Sequence, residues 1–411
     1  PVNLRAYDDP RSHFVHDDAK SFFAASDRKF DLILSEPSNP WVSGVSGLFT
    51  DEFYGRVSGY LTPDGVFGQW LHLYEIDDHL VLTVLAALHR NFKSYAVHLT
   101  NDVDILVVAS NADRLPTPDW SVATFPDIAL DLARFDPLTP TSLDATLLLT
   151  RDELRPLLDS FPGANSDFYP VLDLGAERTR FLKESAFGFL GLSNARFDVA
   201  AALGGRRVAL APATRPSVLI PRIEAQALSA RVRGPERLYA TDSLIENRGF
   251  QRARTHEAQL EMWIASGRAP TDWYLWFTDM MTAEADRHAG TMGSVDSAWY
   301  ARVERYMVEQ RGPRAGLSAL RFQRSAASYD WPMAARELDL QIAERAAGRQ
   351  WLNVETFYDM AIVTALRTGR VAVARSLLAR MPSATDRSAD DLRVQLLDGH
   401  VKAAERASVR R

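Results

Sequence analysis

The sequence predicts an α/β fold, a doubly wound and mostly parallel sheet, followed by an all-α helical repeat-like domain, and three observations carry that prediction. Continuous apolar runs of buried-strand type alternate with helical stretches through the first 110 residues, a pattern that puts helices on both faces of a sheet. From about Ile223 the apolar periodicity is helical throughout. Charge divides the same way: residues 1–180 carry 14 Lys and Arg against 27 Asp and Glu, and residues 181–411 carry 33 against 26. The net charge of -6 therefore joins an acidic front to a basic rear, two differently built halves.

In order, His13–His16 reads as a brief strand ending in Asp17 and Asp18, and Asp18–Ala25 as the start of a helix. Phe30–Leu34 is a buried strand broken by the segment SEPSNP. Asp51–Gly59 is a helix, Thr62–Gly65 a turn, Val66–Leu73 a second buried strand, Asp77–Asn91 a long amphipathic helix, and Ser94–Leu99 and Asp104–Ala109 two further strands. Residues 111–184 form an extension packing on this unit, with apolar helices over Ser142–Leu149 and Arg151–Ser160; residues 185–222 read as a linker and 223–411 as the helical domain. Within the latter, helices are expected over Ser243–Ser266, Thr271–His288, Ser294–Gln310, Arg314–Ser328, Trp331–Ala347, Val354–Thr368, Val371–Met381 and Ala389–Arg406. A turn followed by a helix opening with alanines recurs at Ala335, Ala374 and Ala404, the rhythm of paired helices that stack.

With 411 residues, 46% hydrophobic and 24% charged, the chain has material for two or three domains with real cores. It has no cysteine, which excludes disulfides, a thiolate nucleophile and a sulfur-built zinc site. No window is apolar enough to span a bilayer. The arginines are scattered through Ala-rich helices without interleaved aromatics, so no nucleic-acid surface is expected. His72, Glu75, Asp77, Asp78 and His79 invite a metal reading, but the aspartates suit an acidic first helical turn better, and no metal is assigned. Neither a P-loop, a HExxH pattern nor a Ser/His/Asp motif is present.

The stretch Phe30–Phe49, FDLILSEPSNPWVSGVSGLF, is the most informative. A buried strand delivers Ser35, Glu36 and Asn39 onto a loop held open by Pro37 and Pro40, beside an apolar wall of Trp41 and Phe49. Ligands in open α/β sheets lie at the strands' carboxyl ends, and preorganised polar groups beside aromatics suit an amine or cationic centre. A Pro-rich turn whose polar residues cap the next helix fits the same residues.

Taken with HDDAKSFF at His16–Phe23, this stretch resembles the polyamine aminopropyltransferases, the spermidine synthases. It resembles more closely the spermidine-synthase-like domains of bacterial proteins fused to membrane helices, through Ser35–Gly44 (SEPSNPWVSG), Leu48–Thr50, Glu52–Tyr54, Gly68–Leu71 and Tyr74-Glu75, with a trailing echo at Asn165-Ser166-Asp167. The resemblance implies a methyltransferase-type Rossmann-like sheet over residues 5–110 that takes decarboxylated S-adenosylmethionine, or S-adenosylmethionine, as donor and a polyamine or other amine as acceptor. It assigns Asp18, Ala19 and Ser35 to the donor, Glu36 to the catalytic base, and Asn39, Gln69 and Tyr74 to the acceptor. The base is needed because an ammonium has no lone pair with which to displace a sulfonium.

The sequence departs from the family where Glu36 and Asn39 replace aspartates and where no glycine-rich turn precedes Asp18. Either the substrate differs or aminopropyl transfer is lost. The resemblance also leads us to expect a partial domain whose first strands precede Pro1, in a cytoplasmic protein attached to the inner membrane through that region. Two alternatives remain: a methyltransferase on the same sheet, and a non-catalytic scaffold whose helices bind a protein partner. Tyr358–Met381 resembles a tetratricopeptide repeat, with Gly369 at the turn and Ala374 at the small-residue position.

Overall fold

The computed structural model describes residues 7–25, 27–42, 44–101, 103–132, 140–195, 197–206, 248–287, 297–382 and 391–409. Helix α1 (Ala19–Ala24) precedes β1 (Phe30–Ser35), and α2 (Asp51–Tyr60), β2 (Leu61–His72), α3 (Asp78–Asn91), β3 (Ser94–Leu99) and β4 (Asp104–Ser110) follow. Short helices α4 (Pro126–Leu132) and α5 (Pro140–Thr146) lead to β5 (Leu147–Thr150), α6 (Arg151–Leu158) and α7 (Val171–Leu182).

The five strands form one sheet in the order β1-β2-β4-β3-β5. Only β1 and β2 are parallel; every other pair is antiparallel. The sheet is therefore mixed, where a mostly parallel one was expected, because β3 and β4 form a hairpin and β5 returns along β3. Residues 13–16, expected as a strand, form none. The expected turn at Thr62–Gly65 lies inside β2, where five residue steps on β2 (Leu61 to Val66) face two on β1 (Phe30 to Leu32). A Cβ on Gly65 would stand 2.9 Å from the Phe30 carbonyl oxygen, so only glycine lets the two backbones approach there.

Alternate strand residues point to opposite faces. On one face Ile33, Phe67, Leu71, Ile105, Val107 and Val97 are buried in a core completed by Phe53, Tyr54 and Val57 of α2, the whole inner side of α3, and Leu154 and Leu158 of α6. Capping fixes where these helices start: Thr50 accepts the Phe53 N–H at 3.2 Å, and Asp77 accepts the Leu80 N–H at 2.8 Å, as its acidic-turn reading expected. The other face is open: Leu32 and Leu34 are 55% and 68% exposed, and Val66, Trp70, Leu106 and Val108 are half-buried. Helices on both faces were expected; among the described residues they cover one.

The segment 185–222, read as a linker, carries α8 (Phe187–Asn194) and α9 (Val199–Gly204) instead, and residues 207–222 lie outside the described residues, as does the expected start of the helical domain at Ile223. Helices α10 (Arg248–Ser266), α11 (Trp273–Arg287), α12 (Ser297–Glu309), α13 (Arg314–Ala327), α14 (Trp331–Ala346), α15 (Val354–Arg367), α16 (Val371–Leu378) and α17 (Leu392–Val409) follow the expected periodicity closely. Consecutive helices α10 and α11, α13 and α14, and α15 and α16 pack against one another around a second core. Gly369 takes φ +72° at the α15–α16 turn and Ala374 is fully buried. The two cores share α9 and α17: Ala200, Leu392 and Leu396 enter the first, and Val199, Leu203, Leu397 and Val401 the second. Gly399 is what lets α17 lie against α6, since a Cβ there would meet the Leu157 backbone at 3.0 Å. Among the described residues no helix is long and apolar enough to cross a membrane.

Candidate functional site

The parallel pair β1–β2 ends at Ser35 and Gln69–His72, and β4, antiparallel to β2, begins at the same end with Asp104 opposite His72. The loop after β1 folds over this end. Glu36 lies exposed on it and makes no hydrogen bond or ion pair with any described residue. Asn39 is half-buried, its carbonyl accepting the Val42 N–H at 2.9 Å. Trp41 then drops onto the open face of the sheet, its ring edge-on to His72 with centroids 4.9 Å apart.

Asn165 holds the rest of the loop in place. Its buried side chain donates to the carbonyls of Ser46 and Phe49, at 3.3 and 3.0 Å, and accepts the Leu172 N–H at 3.1 Å. Asp167 accepts from Thr50 Oγ1 at 3.0 Å and from Lys20 Nζ at 2.8 Å, and Glu52 accepts from Ser166 Oγ at 2.7 Å. The echo at 165–167 is thus a latch that ties α1, the loop and the start of α2 to the segment before α7.

The remaining sequence-assigned residues divide between the two faces. Gln69 points into the helix-covered core, where its amide accepts from Tyr54 Oη at 3.3 Å and donates to the carbonyls of Ser35 and Trp70 at 3.3 and 3.0 Å. It braces the strand ends from beneath, and Ser35 meets it through its carbonyl. Asp18 is the N-cap of α1, accepting the Ser21 N–H at 2.9 Å, and this bond holds its carboxyl below the usual range. Ala19 beside it is exposed. Tyr74 reaches the open face, 4.6 Å from the His72 ring centroid, its phenol pKa raised by partial burial and by the carboxylates of Asp104 and Glu75.

Sequence reasoning passed over Asp104 and Arg180, and left His72 without a role once the metal reading was set aside. His72 is fully buried between Trp41, Trp70 and Tyr74, and burial lowers its pKa to about 4. Arg180 of α7 lies over the Trp41 ring with Cζ 5.1 Å from its centroid, and its Nε stands 3.7 Å from Glu75. The alternation of β2, with Phe67, Gln69 and Leu71 on one face and Gly68, Trp70 and His72 on the other, is the signal that could have placed His72, but apolar residues on both faces obscure it.

A strand-end loop with an unpaired carboxylate, roofed by an aromatic and latched by Asn165, is where comparison with known proteins becomes informative. Residues 2–103 match the spermine/spermidine synthase domain. The polyamine aminopropyltransferase of Serratia proteamaculans (strain 568) is 43% identical over 65 residues, covering 16% of this chain and 22% of that protein. That of Alkaliphilus oremlandii (strain OhILAs) is 35% identical over 66 residues, 16% of this chain and 23% of its own length. The chain thus spans under a quarter of the curated relatives it matches. The similarity is confined to the front half, where Glu36, Gln69 and Tyr74 lie.

Proposed function

We propose that this chain is a spermidine-synthase-like transferase that moves an alkyl group, the aminopropyl group of decarboxylated S-adenosylmethionine in the first instance, to an amine. The match of residues 2–103 to the spermine/spermidine synthase domain carries the reading. Glu36 at the end of β1 supports it: exposed and unpaired, its carboxylate is free to take a proton from an ammonium. The neutral amine then attacks the propyl carbon beside the sulfonium, the new N–C bond forms as the C–S bond breaks, and methylthioadenosine leaves with the sulfur lone pair. The proton ends on Glu36. Asn39, on the same loop, would orient the acceptor by hydrogen bonds without adding charge, and Tyr74 would line its path.

The donor side is less complete. Asp18 gives its carboxylate to the α1 cap, Ala19 is exposed, and Ser35 engages Gln69 through its carbonyl. These residues do not by themselves build an adenine pocket. The same commitment of Asp18 and Gln69 to the fold favours, as a second reading, a scaffold whose helices bind a protein partner.

Incubating the chain with decarboxylated S-adenosylmethionine and putrescine and measuring methylthioadenosine separates the two. Release that falls about 100-fold or more in Glu36→Gln, the usual scale for losing a general base, supports transfer. No release, with no donor binding by calorimetry, leaves the scaffold; release with S-adenosylmethionine itself would make the chain a methyltransferase.

A further inference from the structure

Two polar groups where β2 ends and β4 begins, the buried His72 and the half-buried Asp104, have no role in the reading above. His72 is fully buried, yet neither of its ring nitrogens has a hydrogen-bond partner. Asp104, opposite it across the β2–β4 pair, buries Oδ1 without a partner while Oδ2 accepts from the Asn101 amide. Buried polar atoms are rarely left unpaired, and each exception calls for an explanation such as a water, an ion or a ligand that supplies the missing partner.

The surrounding rings define what ligand would pair them. Trp41 and Tyr74, centroids 6.5 Å apart, flank His72 on the open face of the sheet. Aromatic faces attract cations, and Trp41 already carries one, the Arg180 guanidinium. Arg180 is loosely held: its side chain is 57% exposed and its approach to Glu75, 3.7 Å, is longer than a charge-assisted hydrogen bond. Burial keeps the imidazole neutral, so it presents a lone pair rather than a repelling charge.

We propose that Trp41, His72, Tyr74 and Asp104 form a cage for a primary ammonium group, and that Arg180 is an internal cation occupying the Trp41 face until that ammonium displaces it. A primary ammonium brings three N–H donors, enough for a His72 nitrogen and Asp104 Oδ1 together, and its charge replaces the guanidinium at the ring face. A quaternary ammonium can use the ring faces but pairs neither acceptor. The inference deepens the proposed function by naming where the acceptor amine is held. It rests on that function only for the identity of the amine, since binding requires no transfer.

Calorimetric titration of the chain with putrescine, and separately with tetramethylammonium, tests it. Putrescine should bind at least tenfold tighter than tetramethylammonium. Arg180→Ala should tighten putrescine binding several-fold, and Trp41→Ala should weaken it about tenfold, the scale of a desolvated cation–π contact. Trp41→Phe keeps a ring, and should retain most of the affinity along with the parent's thermal melting. The cage is overturned if putrescine does not bind, if Arg180→Ala weakens or leaves its binding unchanged, or if Trp41→Phe melts as the parent while binding is insensitive to every change at Trp41. Methylthioadenosine release that depends on Glu36 with a putrescine KM indifferent to Trp41 would sink the cage and leave transfer standing. Trp41-dependent binding without release would do the reverse.

Discussion

The two faces of the sheet are built from the same five strands and are put to opposite uses. The helix-covered face closes around fully buried Tyr54, Phe67 and Leu71, and the polar groups that enter it, Gln69 and the amide of Asn165, are paired. The open face keeps half-exposed apolar residues and, at the carboxyl end of β2, two polar groups with buried unpaired atoms, the buried His72 and the half-buried Asp104. The difference teaches that the phrases which make this sequence recognisable, SGLF, EFY and GQW, include residues that hold the strand ends still. The residues with unspent chemistry stand between and beyond them.

The contrast breaks most visibly at the latch. Asn165→Ala removes three side-chain hydrogen bonds from a fully buried position and strands the carbonyls of Ser46 and Phe49 and the Leu172 N–H. At roughly 1 kcal/mol or more for each buried group left unpaired, it should lower unfolding free energy by about 3 kcal/mol. A urea midpoint equal to the parent's would show that the loop is held some other way.

His72 should set a pH dependence that belongs to the open face. Its folded pKa of about 4 lies below the ordinary value of 6.5, so between those values the unfolded chain binds a proton that the folded chain refuses. The stability contribution is complete above pH 6.5 and is lost as the pH falls toward 4, amounting to about 2 kcal/mol by pH 5. His72→Phe should flatten that part of the profile. Paired urea titrations at pH 7 and pH 5 measure it, and an identical pH 5 penalty in parent and variant would assign the slope to other groups.

The smallest effect sharpens the comparison from the closed side. Tyr54→Phe removes the hydroxyl that donates to Gln69 Oε1 while keeping the ring packed against Phe67. It should cost about 1 kcal/mol in thermal or urea unfolding and, because the change lies beneath the strands, leave putrescine binding as it was. Altered binding would mean that the two faces communicate.

Much of this was legible in the sequence. The apolar runs at Phe30, Val66, Ser94 and Asp104 become strands, and every helix expected after Gly267 lies within a few residues of its place, because long periodic segments with clear caps are set locally. What was missed depends on partners far along the chain. Leu147–Leu149 read as the tail of a helix and is a strand because it finds the free edge of β3. The run at His13 read as a strand and is not one. The side to which Gln69 points could not be read either, for Val66–Leu73 shows no polar alternation, and only the pairing of Phe67 with Ile33 fixes the parity. The loop bearing Glu36 and Asn39 was found through its prolines and its resemblance; the Trp41–His72–Arg180 contact, joining three distant segments, left no local trace.

The bridging helix α17 has a consequence for how the molecule is made. Leu392 and Leu396 fill a core whose other members lie between Ile33 and Ala200, so the α/β layer stays unfinished during synthesis until residue 396 has left the ribosome. Through that interval the apolar side of α6 and α9 waits for its cover, exposed to whatever else is being made nearby. The front of the chain thus depends on the rear for its cover, and a chain ending before Leu392 lacks the two leucines that help fill this core.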